Sequence, residues 1–327
     1  MIYIIFDNPE DYEKMQFLKN EDYSTSFFIQ KFPKDKCNTI KKMVAFCLKS
    51  IKETKKNDTL IFWYDFMGII CQHLCRLAGK KRKIICLNLL LKNKNTVKNK
   101  IAQLIYKTAL NSNNIAATVV SDEYGIKINK LLNINMKYNV LRDIYHKEYE
   151  TKKSKTIIKS SVFCGGRNGR DWNFFFELAY NMPNIQFNCV MSECDYNKFK
   201  NIFTNNVYAK KEISEQEFLE LMNESNIVIM PLNTQAPAGL IALFQAAANN
   251  KRIIASNTIA TRAYLGNNCA ILCNNSLQEW QTEIKKCITN DDYATNKTIK
   301  LKNFLENKCS EEHYAKTLFY ISQNSFI

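Results

Sequence analysis

Glycine and proline are scarce in this chain, 8 and 5 residues of 327. That scarcity argues against a loop-rich β protein, whose turns consume both residues. Histidine is scarcer still: His73, His146 and His313 lie far apart, and no role follows from them. No stretch approaches the ~18 consecutive apolar residues of a membrane span. The opening segment, Met1 to Phe6, is too short and lacks the basic flank of a signal peptide. Internal repeats and low-complexity tracts are missing as well. The 12 cysteines contain no CxxC pair and mostly sit within apolar segments, the usage expected of a small hydrophobe in a reducing compartment. Cys71 and Cys75 flank His73 one helical turn apart, but without a second ligand pair the spacing favours core packing over a metal site. The protein is therefore expected in the cytoplasm, with no metal centre.

What is present is a large apolar fraction, 46%, in a chain long enough for two ordinary domains. The net charge of +15 is uneven. Residues 1–150 hold 26 Lys and Arg against 15 Asp and Glu, a net +11; residues 151–327 hold 20 against 16, a net +4. The bland reading is a lysine-rich solvated surface. The sharper one is attraction to an anionic substrate or an anionic membrane surface. A nucleic-acid partner is not expected, because the lysines fall on helix faces and turns rather than interleaving with stacking aromatics on one element.

Hydrophobic periodicity predicts strands at 1–6, 59–64, 83–91, 117–121 and 138–142, with helices at 36–55, 67–78 and 96–111. Residues 147–159 are polar and aperiodic, and read as an interdomain linker. Alternation resumes with strands near 160–165, 185–191, 205–209, 226–231, 252–256 and 269–273. The helices between and after them fall near 171–181, 194–203, 214–223, 239–249, 276–289 and 292–307, and a last amphipathic segment covers 309–325. The Ser214 to Glu217 capping box fixes one helix start. Strand–helix alternation implies parallel sheets covered on both faces. The expected architecture is α/β, with two Rossmann-like domains facing across a cleft: residues 1–150, residues 156–308, and a helix at 309–327 packing back toward the first domain.

Two segments of the second half carry the chemistry. Val162 to Cys164 runs into Gly165-Gly166-Arg167-Asn168-Gly169-Arg170-Asp171-Trp172. Met230-Pro231-Leu232 runs into Ala236-Pro237-Ala238-Gly239-Leu240 and a small-residue helix. Each reads as a buried strand, a loop of small residues, then a helix start. Such loops admit a phosphate close to backbone N–H groups and a helix N-terminus. Arginine adds a permanent charge with paired donors matched to phosphate, and Gln245, with both donor and acceptor, suits a sugar hydroxyl. The bland alternative is a pair of ordinary strand-to-helix turns with exposed arginines.

The glycine–arginine loop resembles that of retaining glycosyltransferases of the GT-B architecture (family 4, group 1 type). So do Glu217-Phe218 through Pro231-Leu232, Gly239 through Ser256, and Thr261-Arg262-Ala263-Tyr264, over roughly residues 160–275. The resemblance implies a nucleotide-sugar co-substrate and no other cofactor. It implies that Arg167 and Arg170 are catalytic, standing at the family's arginine and lysine positions and neutralising the diphosphate leaving group without a metal ion. Gly165, Gly166, Pro237, Ala238, Gly239, Leu240 and Gln245 would bind the donor. The acceptor would be a polysaccharide or a lipid-linked oligosaccharide, approached by Asp65, Ser121 and Glu123 of the first domain. Bases of the first half, including Lys34, Lys36, Lys41, Lys42, the 80–83 run, Lys92 and Lys94, would face an anionic membrane. Four features depart from the family's pattern. Gln245 replaces one glutamate, no acid stands near Pro237, Asn249-Asn250 stands where a glycine usually precedes the next strand, and Ala263 replaces a further acid. These departures motivate a second reading, a weak or inactive relative that binds nucleotide-sugar or serves a partner enzyme.

Overall fold

The computed structural model describes residues 1–19, 24–32, 36–91, 96–151, 156–266 and 268–326. The chain divides into two compact units: Met1–Asp143 with Glu311–Ile327, and Ile144–Ser310.

Unit 1 opens with β1 (Ile2–Phe6), α1 (Pro9–Lys14), β2 (Thr25–Ile29) and α2 (Lys36–Glu53). It continues through β3 (Thr59–Phe62), α3 (Asp65–Leu77), β4 (Lys83–Cys86), α4 (Val97–Leu110), β5 (Ile115–Val119), α5 (Asp122–Leu132) and β6 (Asn139–Val140). The strands form a parallel sheet in the order β2-β1-β3-β4-β5-β6. The inner strands β3 and β5 are buried along their whole length. Parallel strands covered on both faces have no polar side to show, which explains the continuous apolar runs in the sequence.

Unit 2 starts with β7 (Ile158–Gly165), α6 (Trp172–Tyr180), β8 (Gln186–Met191), α7 (Glu193–Phe199), β9 (Val207–Lys211) and α8 (Glu215–Glu224). Then come β10 (Ser225–Met230), α9 (Leu240–Ala248), β11 (Arg252–Ser256), α10 (Ile259–Leu265), β12 (Ile271–Cys273), α11 (Leu277–Thr289) and α12 (Thr295–Lys308). Its parallel sheet runs β12-β11-β10-β7-β8-β9. One face buries a cluster that includes Phe175, Phe187, Ile229 and Trp280. Trp280 is fully buried, and its indole N–H donates to the Asn274 carbonyl at 2.8 Å. Truncating such a residue to alanine costs about 3–5 kcal/mol.

The last helix, α13 (Glu311–Asn324), belongs to unit 1. The Tyr314 ring lies against Phe17 and Trp63 at centroid distances of 6.4 and 6.3 Å. The Asn139 amide donates to the Ser325 hydroxyl at 3.1 Å.

Several boundaries differ from the sequence expectation. The strand expected to reach residue 91 stops at Cys86, because Asn88 takes a left-handed conformation (φ 44°) that turns the chain. Elements α1, β2, α5 and α10 were not anticipated. The polar stretch 147–159 does not run free throughout. Its early part forms a single helical turn at Lys147–Tyr149. The Asn249 side chain then holds it, donating to the Tyr149 carbonyl at 2.8 Å and accepting from the Thr151 N–H at 3.1 Å. Residues 152–155 of that stretch lie outside the described residues, as do Lys34, Lys92 and Lys94. All described cysteines are free thiols, and among them only Cys194 is exposed. Cys71 and Cys75 are buried, and the His73 ring nitrogen meets the Ile105 carbonyl at 3.0 Å, so the segment packs as core.

Candidate active site

In each sheet the strand order reverses once. In unit 2 the reversal falls between β7 and β10, whose chain continues outward to β8 on one side and β11 on the other. Ligands of open α/β sheets bind beyond the carboxyl ends of the strands at such a reversal. The two loops singled out in the sequence are the β7–α6 and β10–α9 loops, so the sheet order itself brings them together.

They are bonded to each other along their length. Arg170 and Leu232 form an isolated antiparallel bridge. The Asp171 N–H donates to the Pro231 carbonyl at 2.9 Å, and the Asn233 N–H to the Gly169 carbonyl at 3.1 Å. Asp171 also caps α6, accepting from the Phe174 N–H at 3.1 Å.

Arg170 lies between the loops and is only 4% exposed. Its Nε and NH2 donate to the Gly165 carbonyl at 2.9 and 2.6 Å, and NH1 reaches the Asn168 carbonyl at 3.4 Å. Among the described residues no carboxylate pairs with it. Desolvation on burial pushes its pKa down, against the nearby Cys164 thiol, which burial pushes up to about 12. The guanidinium explains two of the glycines. A Cβ on Gly239 (φ 75°) would sit 2.2 Å from Arg170 NH1, and one on Gly166 (φ 128°) would sit 2.7 Å from NH2. Only residues without side chains let an arginine pass there.

Gly239 also begins α9, and no side chain caps that helix. In the same unit α6, α7, α8, α10 and α11 are each capped, by Asp171, Ser192, Ser214, Thr258 and Ser276, and α12 is not. The first turn of α9 thus presents backbone N–H groups and the positive end of the helix dipole beside a buried cation. Pro237, Ala238, Gly239 and Leu240 are half-buried around that start.

Arg167 occupies a different environment. Its side chain is 71% exposed and forms an ion pair with Glu212, just past β9. Glu212 itself is in a left-handed conformation (φ 47°) and also accepts from the Glu193 N–H at 3.3 Å. Gln245 is buried and donates from Nε2 to Glu215 Oε1 at 2.9 Å. Glu212 and Glu215 escaped the sequence reading. The capping box at Ser214 marks where they sit, but nothing local ties them to side chains 45 and 30 residues away.

In unit 1 the reversal falls between β1 and β3. Asp65 opens α3 directly after β3 and is buried. Its carboxylate accepts from the Leu90 N–H at 2.9 Å and the Tyr106 hydroxyl at 3.0 Å. Burial nevertheless raises its pKa to about 6. Asp7, which follows β1, is also raised by burial and was not anticipated. Ser121 caps α5 at the end of β5, two strands from the reversal, and Glu123 lies exposed in that helix's first turn.

A cavity of about 600 Å³ lies at the opposite, amino ends of β7, β10 and β11, lined by Lys159, Asn226, Arg252 and Asp291 among others. Lys159 and Arg252 both face the single carboxylate of Asp291 at 3.8 Å, and the cavity lies at the strand ends opposite those where ligands of open α/β sheets bind. Among the described residues no cluster of His, Cys, Asp or Glu is arranged to hold a metal ion.

No family model matches the sequence, and neither does any curated protein sequence. The fold, in contrast, matches solved structures over nearly its whole length. HepE of Anabaena in complex with UDP superposes with a TM-score of 0.74 at 11% identity, covering 98% of this chain and 99% of HepE. Sucrose-phosphate synthase of Thermosynechococcus elongatus gives 0.75 at 11% identity, covering 100% and 99%. A trehalose-6-phosphate synthase studied for enzymatic glycosyltransfer with retention gives 0.66 at 10% identity, covering 96% and 83%. Two parallel Rossmann-like sheets, matched over most of their length by these structures, give this chain the GT-B fold.

Proposed function

We propose that this protein is a glycosyltransferase that binds a nucleotide-sugar through unit 2 and transfers the sugar with retention of configuration. The observation that carries the reading is the buried Arg170 guanidinium, which has no carboxylate among the described residues and stands beside the uncapped start of α9. A charge held out of water without an ionic partner is costly, and an anion seated against it offsets that cost. A diphosphate fits the place. It meets the guanidinium N–H groups nearest Gly239 and the free N–H groups of the first helical turn. Structural neighbours that carry UDP and UDP-glucose support the nucleotide-sugar class.

In this reading Arg170 stabilises the charge that builds on the departing diphosphate, preorganised by its bonds to Gly165. Arg167 exchanges Glu212 for the same leaving group, and the two arginines with the helix N-terminus make the reaction metal-independent. Gly165, Gly166, Pro237 and Ala238 shape the approach, and Leu240 supplies a first-turn N–H. Gln245 with Glu215 forms an amide–carboxylate pair for ribose hydroxyls, so Glu215 supplies the acidic acceptor that position 245 lacks. Asp65 serves the acceptor side, with Ser121 and Glu123 further out. The acceptor is a polysaccharide or lipid-linked oligosaccharide.

The test is a thermal-shift and calorimetric screen of the full chain against UDP, GDP, CDP and their glucose conjugates, with and without a chelator. Saturable stabilisation by one nucleotide that survives the chelator, followed by donor turnover, is expected. Stabilisation without turnover favours the inactive relative, for which the missing acids near Pro237 and at Ala263 speak. No stabilisation by any nucleotide refutes the donor site.

A further inference from the structure

The cavity at the amino ends of β7, β10 and β11 holds a charge imbalance that the donor loops do not use. Arg252 opens β11, and its side chain is 12% exposed. Neutral acceptors hold it. NH1 donates to the Cys287 carbonyl at 2.5 Å and reaches the Asn290 carbonyl at 3.4 Å, and NH2 donates to Asn226 Oδ1. Asn226 is itself fixed from β7, its Nδ2 donating to the Lys159 carbonyl at 2.6 Å. Lys251, the preceding residue, is buried with its ammonium on the Asn223 and Ser225 carbonyls at 2.5 and 2.8 Å. Burial, then the Arg252 charge, push its pKa down to about 8. Among the described residues that line the cavity, Asp291 is the one carboxylate. Its oxygens lie 3.8 Å from both Arg252 and Lys159, and its side chain is 71% exposed. Charge-assisted hydrogen bonds are shorter, about 2.7–2.9 Å. One solvated carboxylate thus faces two cations loosely, with a third cation in the adjacent backbone position. A charge withdrawn from water without a close counter-ion is costly.

We propose that this cavity is a second anion site, which takes the phosphate group of a small phosphomonoester between Lys159 and Arg252. The charge selects the group. A carboxylate ligand would only repeat the single charge of Asp291, whereas a phosphomonoester carries about −1.5 to −2 at neutral pH and matches both cations. The volume, about 600 Å³, suits a small metabolite rather than a bare ion. Asn250, in a left-handed conformation (φ 54°), sets its side-chain amide at the rim, where it has no partner among the described residues. That amide offers a donor and an acceptor to a ligand hydroxyl. Ile157 and Ile299 give the cavity apolar walls for the carbon skeleton. Strand β10 separates this place from the donor loops by six residues, roughly 20 Å of extended chain. Its amino end supplies Asn226 here, and its carboxyl end runs into Pro231. The inference is independent of the donor-site reading.

The experiment is calorimetric titration of the full chain with ribose 5-phosphate, inorganic phosphate and ribose, in phosphate-free buffer at low salt. Both phosphates should bind, and ribose should not. The Lys159 side chain is exposed, so Lys159→Gln should keep the wild-type melting temperature. It should weaken ribose 5-phosphate by roughly five- to tenfold, the scale of one partly screened charge at contact distance. Asp291→Asn removes the competing carboxylate and should tighten binding by a similar factor. Arg170→Ala, in the donor loops, should leave it unchanged. Failure of both phosphates to bind overturns the proposal, and so does binding that Lys159→Gln leaves unchanged, the result expected of a cavity that only holds water. Binding that Arg170→Ala alone abolishes belongs to the donor loops and overturns it too. A chain that ignores UDP yet binds ribose 5-phosphate in the expected pattern keeps this site while the donor reading falls.

Discussion

Arg170 permits the sharpest test of the donor site. Replacing it with alanine removes two short hydrogen bonds to the Gly165 carbonyl, at 2.9 and 2.6 Å. Leaving that carbonyl unpaired costs about 1–3 kcal/mol. Removing a desolvated charge recovers several kcal/mol of burial penalty. The two terms oppose, so the folded protein should change stability by no more than about 2 kcal/mol. Anion binding has no such compensation. At an effective dielectric near 20, a unit charge about 4 Å away contributes up to about 4 kcal/mol, and one lost charge-assisted hydrogen bond about 1.5–3 kcal/mol. A loss of about 2–4 kcal/mol is expected, or roughly 30- to 1,000-fold at 1.4 kcal/mol per tenfold. Calorimetric titration of the best-bound nucleotide reads this directly, with the melting curve run alongside. Arg170→Lys keeps the charge but loses the fork, and should fall between the two. An Arg170→Ala protein that melts as the wild type does and binds nucleotide within twofold of it would refute the reasoning.

Two further predictions address the neighbouring glycine and the unit 1 carboxylate. Gly239→Ala places a Cβ 2.2 Å from Arg170 NH1 and asks alanine to adopt φ 75°. The left-handed backbone alone costs about 1–2 kcal/mol, and nucleotide affinity should fall with stability, measured by the same titration and melt; a neutral outcome in both would mean the guanidinium does not pass there. Asp65 has a folded pKa raised from 3.8 to about 6, so the native state holds its proton more tightly than the unfolded chain. Its contribution to stability is greatest below pH 4 and is lost as pH rises from about 4 to 6, by about 3 kcal/mol across that window. Denaturant unfolding of wild type and Asp65→Asn at pH 4.5 and 7 should show the slope attributable to this group absent from the variant; equal slopes would remove the assignment.

Much of this was legible in the chain. The buried strands of both sheets announced themselves as short apolar runs, because parallel strands covered on both faces have nothing else to show. The loops at Gly165–Asp171 and Ala236–Leu240 could be picked out because positive-φ positions and helix starts demand particular residues locally. What escaped was either short or remote. Helix α10 is seven residues long and α1 is six, too few for a period to register. Strand β2, half-buried at the sheet edge, shows no apolar alternation. Ser121 read as a candidate acceptor contact, yet it caps α5 by accepting from the Tyr124 N–H at 3.3 Å. The Glu215–Gln245 and Arg167–Glu212 pairings depend on which strands are neighbours, and strand order is a property of the whole sheet. The two arginines looked alike in sequence; burial separates them, one being a loop-bound interior cation and the other an exposed side chain with an acidic partner.

Helix α13 lies at the far end of the sequence from the rest of the unit it completes. Tyr314, Leu318, Phe319 and Ile321 are buried, so they fill unit 1 rather than decorate it. During synthesis the first 143 residues therefore leave the ribosome with a gap in their interior, and the piece that closes it arrives only after all of unit 2 has been made. Unit 2 is continuous and can finish first; unit 1 must wait, holding apolar surface open meanwhile. The same arrangement ties the two units by two chain crossings, at 143–144 and 310–311, so cutting one of them leaves the halves still joined by the other.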